Sequence, residues 1–171
     1  MTQPGKPADD RFAALGQVVE RTAVLEIALR MAFCTLVGGN YPAVIAANQE
    51  THWLIENCEA VARHHRDLAA EQIDAIRTAL RACREANRDR NRLVHEAWGT
   101  GVDGAPTALQ SLRRSYQIAG REWGVTQIRA AAEAISGAQH GLLTAIEDAF
   151  GPGCLEAAAQ LLATEASEDR S

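Results

Sequence analysis

Through most of this chain the apolar residues return every three or four positions, and a sequence written in that period can bury them only along helix stripes. Over residues 10–37 the series Leu15, Val18, Thr22, Leu25, Leu29, Ala32 and Leu36 predicts a long first helix, which Gly38-Gly39-Asn40 ends. Tyr41-Pro42 reopens the chain into a short helix reaching about Asn48. A further helix over residues 51–66 carries Trp53, Leu54, Cys58 and Val61, and residues 67–70 read as a connector. The stepped series resumes over residues 71–98 with Ile73, Ile76, Leu80, Cys83, Asn87, Arg90 and Val94. Gly99, Gly101, Gly104 and Pro106 then break the pattern, and residues 107–118 alternate weakly, as a short β-hairpin or an irregular loop would. Thr126 is a plausible N-cap for a helix over residues 127–150 with Ile128, Ala131, Ile135, Leu142 and Ile146 inward. Gly151-Pro152-Gly153 stops it, and residues 154–163 read as one more short helix. The expectation is an all-α up-down bundle of four to five main helices, with a loop or small β-hairpin insertion near residues 99–124.

A chain of 171 residues, 47% of them hydrophobic, is long enough for one buried core, so residues 10–163 are expected to form one domain. Residues 1–9 and 164–171 hold too little apolar surface to offset the entropy of ordering them, and are expected to be flexible. The most apolar early stretch, residues 22–37, carries Glu26 and Arg30 in its middle and has neither the length nor the flanks of a membrane span or a signal peptide. A cytoplasmic protein with no membrane association is expected. Cys34, Cys58, Cys83 and Cys154 are scattered, form no C-x-x-C pair and mostly sit among apolar neighbours, the pattern of reduced, buried thiols. A net charge of -5 gives the whole chain no attraction for a polyanion. Residues 81–95 are the exception: Arg81, Arg84, Arg88, Arg90 and Arg92 stand against only Glu85 and Asp89.

Chemistry concentrates on the same stretch. Asn87 and Arg90 interrupt the apolar stripe, and a guanidinium on a buried face is costly unless a partner or ligand satisfies it. At about 100° per residue, Asn91 and His95 fall within about 40° of each other, while Arg90 and His95 are about 140° apart, so the three polar groups occupy neighbouring faces. An imidazole can take the proton of an RNA 2'-hydroxyl, and a guanidinium can hold a phosphate by two parallel hydrogen bonds as charge builds on it. Asn91 can orient either. Near a helix C-terminus the macrodipole favours the protonated imidazole of His95.

The run Arg90-Asn91-Arg92-Leu93-Val94-His95, followed by Glu96-Ala97-Trp98, resembles the Arg-x4-6-His signature of the HEPN superfamily of short helical bundles, with the polar residue that often follows the arginine. A long first helix with Glu26 in its middle and a third major helix ending in the signature agree with that layout. The resemblance covers roughly residues 10–150, though only the six-residue run is specific. It implies metal-independent endoribonuclease action on RNA, commonly in toxin-antitoxin, phage-defence or CRISPR-linked systems, with two copies of the signature meeting across a homodimer to form one composite site. Carried over residue by residue, it makes His95 the general base or acid, Arg90 the phosphate ligand and Asn91 the auxiliary polar group. Arg88, Arg92 and Glu26 become candidates for substrate binding. An antitoxin or other regulatory protein is an expected partner, and neither cofactor nor metal is expected. The superfamily also contains catalytically inactive members that bind proteins or nucleotides, which is the alternative expectation.

Other chemistry-bearing residues have plainer readings. His52, Cys58, His64 and His65 lie close in sequence but lack the i, i+4 ligand pair of a helical zinc motif. Trp53, Trp98 and Trp123 can stack on bases but more often anchor cores or interfaces. Glu26 and Arg30 have the i, i+4 spacing of a surface ion pair, and the resemblance also allows an acid of the first helix to approach the signature.

Overall fold

A computed structural model describes residues 7–39, 41–95, 97–100, 106–111 and 118–168. Within them the apolar period becomes six helices: α1 (Pro7–Val37), α2 (Pro42–Ala46), α3 (Thr51–His64), α4 (Ala70–His95), α5 (Val125–Phe150) and α6 (Cys154–Glu168). Three strands separate α4 from α5: β1 (Ala97–Thr100), β2 (Pro106–Ser111) and β3 (Ile118–Glu122).

The helix α1 is the spine of the bundle. It packs on α5 most extensively and also meets α2, α3, α4 and α6, while α4 packs on both α3 and α5. Its expected stripe is the buried one, from Val18 through Leu25, Leu29 and Ala32 to Leu36. Thr22 is tolerated in that stripe because its hydroxyl donates to the Val18 carbonyl one turn back, at 2.7 Å, leaving no buried polar atom unmatched. Opposite it stand Leu54, Ile55 and Cys58 of α3, Ile76, Leu80 and Cys83 of α4, and Ile128, Ile135, Leu142 and Ile146 of α5, in one continuous core. Cys34, Ala43 and Ala158 make a small second cluster where α1, α2 and α6 meet.

Helix ends follow local chemistry. Gly38 closes α1 at φ 68°, a left-handed conformation that costs glycine little, and its N–H reaches the Cys34 carbonyl at 2.9 Å. The start of α5 differs from expectation: the cap is Gly124, not Thr126, and Gln127 folds its side-chain oxygen back onto the Gly124 N–H at 2.9 Å. The helix α6 continues to Glu168, past the expected stop near Ala163.

The end of α4 is the larger difference. The stepped pattern suggests a helix to Trp98, but α4 stops at His95 and Ala97 already pairs with Leu109 of β2. Trp98 then turns back, and its indole N–H donates to the Leu93 carbonyl at 3.0 Å, satisfying one of the acceptors that a helix end leaves open. The sheet is an antiparallel meander in the order β1-β2-β3, with Leu109 facing Ala97 on one side and Gly120 on the other. It therefore has one strand more than the hairpin considered for this region. Residues 101–105 and 112–117, which belong to that insertion, lie outside the described residues. Among the described residues no helix is long and apolar enough to cross a membrane.

Candidate functional site

The polar break in the α4 stripe opens onto a cavity of about 540 Å³. On α4, Asn87, Arg90 and Asn91 fall at i, i+3 and i+4, so one helix face carries all three, and each lines the cavity. The facing wall comes from α1, where Glu26 and Arg30 sit one turn apart, and the third side is the connection from α2 to α3 with the first residues of α3.

Glu26 and Arg30 each reach that connection. Thr51 is buried, and its hydroxyl donates to Glu26 Oε1 at 2.8 Å. Arg30 donates from Nε to the Ala46 carbonyl at 3.3 Å and from Nη2 to the Gln49 carbonyl at 3.5 Å. Their i, i+4 spacing thus places two anchors for α2 and α3 on one face of α1. The half-buried Arg90 donates from Nη1 to Asn91 Oδ1 at 2.9 Å, so the guanidinium and the neighbouring amide are oriented together. His95 is the last residue of α4, one turn beyond Asn91. Its imidazole lies outside what the structure describes.

Arg90, Asn91 and Glu26, three of the residues singled out in the sequence, are therefore brought to one place. Arg88 and Arg92 are not. Each is two residues from Arg90, about 160° around the helix, and both are exposed, with Arg92 paired to Asp89 at 3.3 Å. The rest of the basic stretch is partly committed elsewhere. Glu59 of α3 gathers Arg84 at 2.7 Å, Arg63 at 3.4 Å and Arg77 at 3.8 Å. The Arg84 hydrogen bond, followed by the charges of Arg84, Arg63 and Arg77, holds the Glu59 carboxyl below the usual carboxylate range against the opposing effect of burial.

Residues 47–52, with Asn48, Gln49, Glu50, Thr51 and His52 as their polar members, line the cavity and were not assigned to the site from sequence. The Gly38-Gly39 stop and the short helix after it were legible, but not that they turn the chain back so that α3 begins beside the middle of α1. His52 is exposed and its Nε2 lies 3.2 Å from Glu56 Oε1. His65 instead sets its ring edge-on to Phe150, with centroids 5.3 Å apart, and Cys58 is buried with its thiol donating to the Leu29 carbonyl at 3.8 Å. Among the described residues no three His, Cys, Asp or Glu side chains converge as a metal would require. The three tryptophans join the core: Trp123 is buried, and Trp53 and Trp98 pack against it, Trp53 with its ring 5.4 Å from that of Phe33.

Comparisons with family models, curated proteins and solved structures give no match. What the site can do follows from its side chains. A guanidinium beside an amide is a donor array suited to a phosphate or a base edge, and the Glu26 carboxylate and His52 imidazole that share the lining supply an acceptor and a proton carrier.

Proposed function

We propose that the chain is a metal-independent endoribonuclease of HEPN type, acting through Arg90, Asn91 and His95. The observation that carries this reading is the polar face of α4: Arg90 and Asn91 line a cavity, in hydrogen-bond contact with each other, one turn before the His95 that ends the helix. In the reaction His95 takes the proton from a ribose 2'-hydroxyl, and the 2'-oxygen bonds to the adjacent phosphorus. The phosphorus–5'-oxygen bond breaks, and the leaving oxygen is protonated by a second general acid. Arg90 balances the charge that builds on the phosphoryl oxygens, and Asn91 fixes the guanidinium. The products are a 2',3'-cyclic phosphate and a 5'-hydroxyl.

A homodimer supplies the second acid most simply, as the His95 of another copy. Support for such a partner comes from the exposed apolar residues Val19, Val24 and Ile27 on α1 and Tyr41, Val44 and Ile45 at α2. Ile27 lies one turn from Arg30 on α1, and Arg30 lines the cavity, so a copy seated over Ile27 approaches it. Such an enzyme fits a toxin or phage-defence effector held in check by an antitoxin or other regulatory protein. The second reading, a catalytically silent module that binds a nucleotide or a protein, is favoured by the cavity itself, whose volume falls in the range of small-ligand sites.

The test is incubation of purified protein in EDTA with end-labelled tRNA, mRNA and rRNA. Cleavage leaving 2',3'-cyclic phosphate ends, lost in Arg90→Ala and His95→Ala, is expected. Intact RNA across all three substrates with a dimeric wild-type protein selects the silent module instead.

A further inference from the structure

The cavity that Arg90 lines can meet a single phosphate at that guanidinium but is unlike a polyphosphate cradle. Its two guanidiniums, Arg30 and Arg90, are matched by two carboxylates, Glu26 and Glu50, so it offers no net positive field for a polyphosphate. Carboxamides dominate what remains. Asn48 and Gln49 come from the α2–α3 connection, and Asn87 and Asn91 from α4. Side-chain amides carry a donor and an acceptor side by side, the arrangement that pairs with the edge of a nucleobase. Among the described lining residues there is no Phe, Tyr or Trp, and the one ring, His52, is exposed and engaged by Glu56 at 3.2 Å. Stacking platforms tolerate any base because every base has a π-face, whereas a site lined by amides and carboxylates discriminates by hydrogen bonds.

We propose that this cavity is a base-reading subsite, which takes one unpaired nucleobase of single-stranded RNA next to the phosphate held by Arg90 and selects it through Asn48, Gln49 and Asn87. The substrate being RNA rests on the ribonuclease reading; the selectivity rests on the lining. A volume of about 540 Å³ admits a purine or a pyrimidine with its ribose. A base within a duplex presents too little of its edge to enter such a recess, so the subsite takes loops and single strands. Arg30 and Glu26 are positioning residues. Through the Ala46 and Gln49 carbonyls and the Thr51 hydroxyl they fix the connection that carries Asn48 and Gln49. The wall is thereby set before ligand arrives, which lowers the cost of ordering it on binding.

The experiment separates recognition from cleavage by using RNAs that the enzyme cannot cut. Short fluorescein-labelled 2'-O-methyl oligonucleotides of A, of C and of U are titrated into the full-length protein in EDTA, and affinity is read by anisotropy. Wild type is expected to prefer one base by about tenfold or more, the discrimination of one good pair of hydrogen bonds. The Asn48→Ala/Gln49→Ala double variant, altered in an exposed connection, is expected to keep binding while its preference collapses toward unity. Asn87→Ala, on the opposite wall, is expected to do the same, and Arg90→Ala to weaken all three oligonucleotides alike. Equal affinity of wild type for the three, no binding, or an unchanged preference in both Asn variants overturns the proposal. Base-selective binding without cleavage of natural RNA removes the ribonuclease reading and leaves the subsite. Cleavage without base selectivity removes the subsite and leaves the ribonuclease.

Discussion

At the residue scale, the charges of this chain are sorted more finely than the run of arginines implies. Glu59 holds Arg84, Arg63 and Arg77 together at the α3–α4 contact. Its pKa is lowered by these partners, so its contribution is fully present above the ordinary carboxylate pKa and is lost as pH falls through the lower value of the folded state. Glu59→Gln is expected to cost about 1–3 kcal/mol at pH 7, the worth of a hydrogen bond to a charged group, with the difference from wild type vanishing in strong acid. Urea unfolding at both pH values checks this. The cysteines give a second expectation. Burial pushes the Cys34 thiol up to about 11 and that of Cys83 to about 12, and raises Cys58 as well. A thiol reagent at pH 7.5 should therefore modify Cys154 first, as the least buried of the four, and reach Cys58 and Cys83 only on unfolding. Mass spectrometry of timed labelling decides it. That Cys34, Cys58 and Cys83 are buried was legible from their apolar neighbours; that Arg84 serves Glu59 was not, because the pair is 25 positions apart in the chain.

At the element scale, the helices were readable because a period is a local property. Val18, Leu25, Leu29, Ile76, Leu80, Ile128 and Ile135 are buried as their spacing requires. Ends set by distant partners were not readable. The apolar step runs on into Val94, Ala97 and Trp98, yet α4 yields at His95 because Trp98 caps Leu93 and β1 pairs with β2. Trp98→Phe keeps an aromatic ring, smaller than the indole, and removes the N–H. It is expected to lower stability by about 1 kcal/mol, with faster hydrogen exchange confined to the last turn of α4. The break between α5 and α6 depends on Gly151 at φ 87° and ψ 169°, a conformation that side chains other than glycine's strain to adopt. Gly151→Ala has open space for its methyl group, so its expected cost of about 1–3 kcal/mol is backbone strain alone, read from thermal unfolding.

At the scale of the whole molecule, the site exists because α1 is central. One helix supplies the core stripe on one side and, through Glu26 and Arg30, holds the start of α3 beside α4 on another. Asn87 and Arg90 were visible in the sequence as an interruption of the stripe, and Asn91 as the polar residue that follows the arginine. The other walls were not, because nothing local tells Asn48, Gln49 or His52 that they face α4. The exposed apolar residues of α1 and α2 belong to this scale too. Ile27→Asp is expected to shift a dimer toward monomer in sedimentation equilibrium and to reduce cleavage with it, since the leaving oxygen then lacks its acid. Phosphodiester cleavage by Arg90 and His95, unaided by metal, is the reaction proposed for this site. It is tested most directly by single-turnover cleavage of one labelled RNA in EDTA by wild type, Arg90→Ala and His95→Ala. Wild type is expected to cleave to a 2',3'-cyclic phosphate, and each variant to fall by at least about a hundredfold. A rate unchanged by His95→Ala, or cleavage that appears only when a divalent metal is added, would contradict it.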